Sequence, residues 1–364
     1  MNASDGVRPP AALLTGFIAD IFAAAGAARA EAEEIAANLV MANLSGHDSH
    51  GVVRTPRYLQ NERAGQMTFG GVADIVIDGG AFALLDGGLG FGQVVGRQAT
   101  DDGIARARTH GVAVIALRRA GHLGRIGEWA ERAMAQGLAS IHFVNVANSM
   151  LVAPFGGAER RMSTAPVCVG VPNPDGDDFL LDFATSRAAE GKVLVSLKGG
   201  KAPPPGSLID AEGRLTDDPS TLYGETPPGA VPNPRLGPGA LAPMGDHKGS
   251  GLAIACELLA GALTGSGAAG PGEGPYNGML SIYIDPARLD DGFGPGAQAA
   301  SYIDFVRSAR PADPSRPVMI PGDPERAARA DRLANGVPLP AETWASLVAA
   351  ARAAGVADAG IPAL

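Results

Sequence analysis

The stretch VAVIALRRAGHLGRIGEWAERAMAQGLASIHFV at residues 112–144 decides the fold class. An apolar run at 112–117 predicts a buried strand, residues 126–136 have the spacing of a helix, and 139–144 predict a second strand. A strand, a helix and a strand in this order form one compact unit, from which α/β domains are built. The stretch therefore predicts an α/β fold.

The segments on either side continue this alternation of helices and strands. Apolar residues at helical spacing predict two N-terminal helices at 9–25 and 28–44, separated by Gly26. Glycine and proline concentrate in two stretches that predict loops, at 199–239 and 265–278. Further helices are predicted at 51–64, 93–110, 249–263, 301–307, 325–334 and 341–353, and further strands at 75–77, 83–85, 167–171, 179–181 and 280–284.

The bulk composition excludes several classes of partner. A net charge of −9 without a basic cluster argues against nucleic acid as the main partner. No apolar run approaches the roughly 20 residues that span a bilayer. Two cysteines, Cys168 and Cys256, cannot form a disulfide framework in 364 residues, and they fit a reducing cytoplasm. We therefore expect a cytoplasmic protein that binds neither nucleic acid nor membrane.

The densest polar cluster is GHDSHGVVR at residues 46–54. If a helix begins at Gly51, His50 and Arg54 are four residues apart and share one face. An arginine can hold a carboxylate through two parallel hydrogen bonds, and a histidine can exchange a proton near neutral pH. The pair is suited to a small 2-keto or 2-hydroxy acid.

Other interpretations of this cluster remain open at the level of sequence. Ser49 could cap a helix between two surface histidines. A hydrolase using Asp48, Ser49 and His50 is disfavoured, because neighbouring side chains point apart and no Gly-x-Ser-x-Gly motif is present. A metal site could be built from His47, Asp48 and His50, but no motif that would supply a further ligand lies nearby. We therefore expect no metal.

Glycine-rich turns at two helix starts are candidate anion sites. GHLGRIG at 121–127 follows a predicted strand, where free amides can reach a phosphate, although its spacing is not the dinucleotide fingerprint and suits a tight turn equally well. GDHKGSGL at 245–252 brings Lys248 to a helix start, as an anion ligand or as a solvated lysine. Hydroxyl residues at 163–166 and 181–186 lie at strand ends, where they bind ligands or cap turns.

Taken in order, seven segments resemble the malate/L-lactate dehydrogenase family of the sulfolactate-dehydrogenase type, which also includes ureidoglycolate dehydrogenase, diketogulonate reductase and the cyclic ketimine reductases. The segments are SHGVVRTPRYL (49–59), GHLGRIGEWA (121–130), STAPVCVGVP (163–172), LDFATS (181–186), IDAEGRLTDDP (209–219), HKGSGLAI (247–254) and IPGDPE (320–325). The resemblance implies a non-Rossmann α/β fold with mixed sheets and a helical N-terminal arm. It also implies an NAD- or NADP-dependent oxidoreductase that transfers a hydride to or from a small 2-hydroxy or 2-keto acid.

The resemblance also implies roles for individual residues. His50 would exchange the proton with Ser49 beside it, His122 is the competing candidate, and Arg54 and Thr164 would contact the substrate. Cofactor-lining roles are implied for His122, Leu123, Gly124, Arg125, Ile126, Asp182, Phe183, Ala184, Lys248, Pro321, Gly322 and Asp323.

The implied organisation is a homodimer of two-domain chains. Residues 1–118 with 279–364 would form the helical arm and the substrate and dimerisation domain, and 119–278 would bind the cofactor. Three positions depart from the family pattern or select among its branches. Ala165 replaces the usual asparagine, which would permit a non-catalytic binding protein, and Ser250 replaces a tyrosine. Lys192 stands where ketimine reductases carry an aspartate, which favours a hydroxy-acid dehydrogenase.

Overall fold

The computed structural model describes residues 6–197, 202–225, 232–272 and 274–363. Two sheets and a set of packed helices make up this part of the chain, and both N-terminal helices begin and end close to the predicted positions. The helices are α1 (Ala11–Ala24), α2 (Arg29–Leu44), α3 (Thr55–Arg63), α4 (Gly92–His110), α5 (Gly127–Met134), α6 (Glu190–Leu197), α7 (Ser220–Tyr223), α8 (His247–Cys256), α9 (Pro295–Arg307), α10 (Asp323–Asn335) and α11 (Ala341–Ala354). The strands are β1 (Asp74–Asp78), β2 (Phe82–Asp86), β3 (Val112–Ala120), β4 (Ala139–Ala147), β5 (Pro166–Val171), β6 (Phe179–Ala184), β7 (Leu208–Ile209), β8 (Leu215–Thr216), β9 (Ala240–Leu241) and β10 (Tyr276–Ile284).

The larger sheet has seven strands in the order β1-β2-β3-β10-β4-β5-β6. Strands β3 and β4 and helix α5 confirm the predicted strand–helix–strand unit. The two strands are not neighbours, however, because β10 lies between them and runs antiparallel to both. Leu280 of β10 pairs with Ala116 on one side and with Phe143 on the other. A segment more than a hundred residues away in sequence therefore completes the unit.

The helical N-terminal arm is confirmed as a packed layer of its own. Ile18 and Phe22 of α1 are buried with Ile35 and Leu39 of α2 in one apolar cluster. Helix α1 also packs against α11, and the rings of Phe17 and Trp344 are 5.3 Å apart. Burial of this apolar face holds the arm against the start of α4.

The helix predicted from residue 51 begins later than expected. Two single 3-10 turns, Asp48–His50 and Val52–Arg54, precede α3, and Gly51 between them is extended. The Asn43 side chain explains the delay, since its amide donates to Asp48 Oδ1 at 2.7 Å and its carbonyl accepts from the Val52 amide at 2.8 Å. His50 therefore lies in a turn ahead of the helix rather than at its first residue.

The long apolar helix predicted at 249–263 is divided in two. Helix α8 ends at Cys256, and Glu257–Ala262 continue as a π-helical segment. The buried Glu257 carboxylate accepts hydrogen bonds from Ser163 Oγ at 2.6 Å and from Asn145 Nδ2 at 3.0 Å. A π-bulge changes the direction of the side chains that follow it, and here the bulge aims a carboxylate at β4 and at the segment before β5.

The predicted domain boundary between residues 278 and 279 falls inside β10. Because β10 pairs with strands from both predicted domains, one continuous sheet joins them. The division into a substrate and dimerisation part and a cofactor-binding part therefore remains a prediction about function. No helix in the described ranges is both long and apolar enough to cross a membrane.

Candidate active site

Two histidines that the sequence presented as competitors lie in the same site. The rings of His50 and His122 are stacked, with centroids 5.6 Å apart and planes inclined by 8°. His50 comes from the 3-10 turn before α3, and His122 comes from the loop between β3 and α5. Both imidazoles are therefore within reach of one small ligand.

A hydroxyl group contacts Nδ1 of each ring. Ser49 Oγ lies 3.2 Å from His50 Nδ1, and the hydroxyl of the buried Tyr58 lies 2.6 Å from His122 Nδ1. Tyr58 in turn receives a hydrogen bond from Gln93 Nε2 at 3.1 Å. Neither Tyr58 nor Gln93 was predicted, although Tyr58 follows Arg54 by four residues, which is a spacing that brings helical side chains together.

Arg54 lies in the electrostatic neighbourhood of both rings. Its Nε donates to the Ser49 carbonyl oxygen at 2.5 Å, which fastens the guanidinium across the turn that carries His50. Within the described residues, its two terminal nitrogens have no hydrogen-bond partner. A planar guanidinium held in this way presents a fork that matches a carboxylate.

Both histidines are held in the neutral form. Burial lowers the pKa of His50 well below its ordinary value, and the charge of Arg54 lowers it further. Burial and then the Arg54 charge lower the pKa of His122 to about 3. A fixed guanidinium beside two imidazoles makes a second or third positive charge unfavourable. At neutral pH the two rings are therefore uncharged beside the Arg54 guanidinium.

A second polar pair, Glu190 and Tyr223, borders this site. The Tyr223 hydroxyl donates to the Glu190 carboxylate, and the pKa of Tyr223 is raised by burial and by that carboxylate while the Arg54 charge opposes the shift. Helix α6 begins at Glu190 and lies against Ser49, since a Cβ added at Gly191 would be 3.3 Å from the Ser49 Cβ. Neither residue was predicted, because α6 and α7 reach Arg54 only through tertiary packing.

Thr164, a predicted substrate contact, lies two residues before β5 and beside the end of β6. Its carbonyl oxygen accepts from the Thr185 amide at 3.2 Å and from Thr185 Oγ1 at 3.1 Å. The next residue, Ala165, is buried with a φ of +26°. Positive φ is strained for alanine and better tolerated by asparagine, so the family's asparagine would suit this backbone.

Lys248 also approaches this end of β6. The Met244 amide donates to the Thr185 carbonyl at 2.8 Å, and this bond fixes the loop that leads into α8. The Lys248 side chain is exposed at the second residue of that helix and has no ion-pair partner among the described residues. An ammonium group at this position is free to bind an anionic ligand.

An open cleft runs beside the other end of β6. One part, about 470 Å³, lies between α5 and α10, and a second part of about 300 Å³ adjoins it at Leu180, Gly322 and Glu325. Asp182, Pro321 and Gly322, three of the predicted cofactor residues, line the smaller part. Strand β6 thus links the cleft to the Thr164 and Thr185 region.

Other predicted cofactor residues are arranged differently from a phosphate-binding turn. The side chains of Leu123, Arg125 and Ile126 are buried, so a ligand could reach this segment only through its backbone. The Gly127 amide at the start of α5 already donates to Asp182 Oδ2 at 2.8 Å. Asp323 is held by Arg307 at 2.8 Å and is also bonded to Arg326. Three further predicted residues lie in the same region. Gly124 lies beside Asn38, and Phe183 of β6 packs against a buried apolar cluster. Ala184 pairs with Pro166 of β5.

The hydrolase and metal interpretations gain no support from the geometry. The expectation that neighbouring side chains point apart was wrong for Ser49 and His50, which are in contact. Asp48, however, binds Arg332 and Asn43 instead of orienting His50, so no triad forms. His47 pairs with Glu325 at 3.1 Å. No group of three or more potential metal-ligating side chains is found in the described part of the chain.

An arginine with two free terminal nitrogens beside two neutral imidazoles could hold the carboxylate of a small acid and exchange a proton with it. The sequence pattern of the malate/L-lactate dehydrogenase family matches residues 10–348, and the chain belongs to this family. It is similar to hydroxycarboxylate dehydrogenase B of Escherichia coli strain K12, with 38% identity over 360 residues that cover 97% of this chain and 96% of the relative.

Two further comparisons bear on the fold and on the chemistry. The structure of sulfolactate dehydrogenase from Methanocaldococcus jannaschii superposes with a TM-score of 0.83 at 30% identity, covering 96% of this chain and 98% of that one. The expected sulfolactate-dehydrogenase-like fold is thereby confirmed. The chain is also 31% identical over 349 residues to a Δ1-pyrroline-2-carboxylate/Δ1-piperideine-2-carboxylate reductase of Pseudomonas syringae pv. tomato, covering 93% and 95% of the two chains.

Proposed function

We propose that this protein transfers a hydride between NAD or NADP and the C2 atom of a small 2-hydroxy or 2-keto acid. The arrangement of Arg54 beside the stacked His50 and His122 carries the proposal. A carboxylate held by the Arg54 fork places its neighbouring C2 oxygen close to both rings. When bound, a nicotinamide supplies or accepts the hydride at C2.

His50 exchanges the proton in this mechanism. In the oxidation direction its neutral ring accepts the proton of the C2 hydroxyl, a role that the lowered pKa permits at neutral pH. In the reduction direction the substrate carboxylate offsets the charge of Arg54, and that raises the pKa of His50 and favours proton uptake before the transfer. Ser49, in contact with Nδ1, keeps the ring oriented between the two states.

The residues along β6 fit an elongated anionic cofactor. Lys248 offers a free ammonium group near one end of the strand, and the cleft lined by Asp182, Pro321 and Gly322 provides space at the other. The turn that contains Arg125, whose side chain is buried and paired with Glu131, would approach the cofactor through its backbone. The Lys248 charge and the backbone of this turn would together hold the cofactor, without the Rossmann fingerprint.

Reduction of a cyclic ketimine is the second candidate function. The reductase of Pseudomonas syringae pv. tomato supports it, because a ring imine with an adjacent carboxylate would use the same arginine and the same proton donor. The exposed Lys192 disfavours it, because the resemblance implies an aspartate at this position in the ketimine reductases.

A substrate panel distinguishes these functions. NADH or NADPH is mixed with the protein and with pyruvate, oxaloacetate, sulfopyruvate or a cyclic ketimine, and absorbance is followed at about 340 nm, the reduced nicotinamide band. Turnover of the keto acids supports the proposal, and faster turnover of the ketimine supports the alternative. Cofactor binding by fluorescence without turnover of any compound would indicate a binding protein, and the absence of both would refute the proposal.

We further propose that the protein is a cytoplasmic homodimer. The outward face of α8 and the segment after it exposes Ile254, Leu258 and Leu263, and an apolar helix face of this kind favours burial against a second copy. Cys168 and Cys256 are buried free thiols, which fit a reducing compartment. Sedimentation of the protein with and without Leu258→Glu tests the dimer, because a charge at this face should yield monomers.

A further inference from the structure

Gln93, in the first turn of α4, makes two hydrogen bonds behind His122. Its side chain is buried, and Nε2 lies 3.2 Å from the His122 carbonyl oxygen and 3.1 Å from the Tyr58 hydroxyl. A carbonyl oxygen can only accept a hydrogen bond. The amide nitrogen, rather than the amide oxygen, must therefore face both groups, and Tyr58 accepts its second proton.

This arrangement settles where the Tyr58 proton goes. The hydroxyl oxygen receives the bond from Gln93, and its single proton is then directed at His122 Nδ1, which is 2.6 Å away. Burial raises the pKa of Tyr58 to about 12, so the phenol stays protonated at neutral pH. Since Nδ1 of His122 accepts, the proton of the neutral ring must reside on Nε2.

We propose that Gln93 is a positioning residue that sets the tautomer of His122 through Tyr58, so that Nε2–H is presented to the C2 oxygen of the substrate. Nε2 has no hydrogen-bond partner among the described residues, and the ring is stacked on His50 at the substrate site. The role at the substrate rests on the proposed function. The tautomer itself does not, because it follows from contacts within the chain.

The two histidines would then have different roles. A neutral imidazole that donates through Nε2–H polarises a carbonyl without giving up its proton, and such neutral histidine electrophiles are known in other enzymes. His122 would stabilise the developing charge on the substrate oxygen, and His50 would move the proton. With the opposite tautomer, His122 would present a lone pair to that oxygen and repel it.

Nitrogen-15 NMR of histidine-labelled protein reads the tautomer directly, without substrate or turnover. His122 is assigned by the signal lost in His122→Asn. We expect the Nε2–H form in the unsubstituted protein. Gln93→Glu replaces the donor with an acceptor when ionised, which would draw the Tyr58 proton away from Nδ1 and populate the Nδ1–H form. Gln93→Met removes the donor altogether and leaves Tyr58 free to turn.

The matched control is Gln98→Glu, on the same helix, whose side-chain oxygen binds the Ala73 amide away from the site. It should leave the His122 signals unchanged. An Nδ1–H ring in the unsubstituted protein would overturn the proposal. So would an unchanged tautomer in both Gln93 variants, whereas appearance of the Nδ1–H form in either one supports it.

Kinetics supply the second readout. If the proposed function also holds, kcat falls as the Nδ1–H population of the Gln93 variants grows, by up to about 10²-fold, while the cofactor dissociation constant stays the same. If the unsubstituted protein turns over no keto acid, the function fails, but the NMR result for Gln93 stands independently.

Discussion

Arg54 Nε donates a hydrogen bond to the carbonyl oxygen of Ser49, with 2.5 Å between the two atoms. The bond uses the one guanidinium nitrogen that cannot take part in an end-on carboxylate fork, and it leaves both terminal nitrogens for a ligand. It also ties the arginine to the turn that carries His50. The Arg54 guanidinium and the turn that carries His50 are thus fixed relative to each other by five residues of chain.

Arg54→Lys should raise KM for a keto acid strongly, because lysine keeps the charge and loses both the fork and the bond to Ser49. A lost charge-assisted hydrogen bond corresponds to about 1.5–3 kcal/mol, or roughly tenfold to a hundredfold in KM. Steady-state kinetics with saturating cofactor measure the effect. The cofactor dissociation constant should barely move, and an unchanged KM would remove Arg54 from the substrate site.

His50→Ala should lower kcat at least about a hundredfold with cofactor binding intact, because the substrate oxygen loses its proton-transfer partner. His122→Ala should lower kcat as well, since His122 is stacked on His50 in the same site. Stopped-flow measurement of hydride transfer separates these effects from product release. A larger loss in His122→Ala than in His50→Ala would assign the proton transfer to His122.

Lys248→Ala should weaken cofactor binding by ~1.5–3 kcal/mol, the contribution of a charge-assisted hydrogen bond. Fluorescence titration with NADH and with NADPH measures the two affinities separately. Arg352 on α11, whose side chain is 63% exposed, provides the control, because Arg352→Ala removes a similar surface charge. If both variants bind the cofactor as the unsubstituted protein does, Lys248 is only a solvated residue at a helix start.

The stability of the Glu128→Gln variant relative to the native protein should increase as the pH rises. Burial raises the pKa of Glu128 to about 7 from 4.5, so the folded protein favours the protonated acid. The stability that this residue contributes is present below the unfolded pKa and is lost as the pH rises through 7. Glutamine does not ionise and loses no stability in this way. From acid to mildly alkaline pH, the free energy of unfolding of the variant should therefore rise by about 1–3 kcal/mol relative to that of the native protein.

Urea unfolding at several pH values checks this prediction. Glu159→Gln is the control, because the Glu159 side chain is 73% exposed and its removal should leave the pH profile unaltered. A stability difference between Glu128→Gln and the native protein that does not change with pH would show that Glu128 stays ionised in the folded state.

Several elements of the fold could be read from local sequence. Helices α1, α2, α4, α10 and α11 follow the predicted apolar spacing closely, because a helix that buries one face repeats its apolar residues every three to four positions. The start of α3 and the π-helical end of α8 were not predictable. Each depends on a side chain from elsewhere, Asn43 in one case and Ser163 in the other.

The sequence by itself determined the α/β class and the family, and it predicted a site with His50 and Arg54, because these inferences depend on residues that are close along the chain. The tertiary structure alone decided that β10 lies between β3 and β4, that His122 stacks on His50, and that Tyr58 and Gln93 lie behind it. Contacts between distant segments form only when whole helices and sheets pack, and the periodicity of a single segment does not encode which partner it meets.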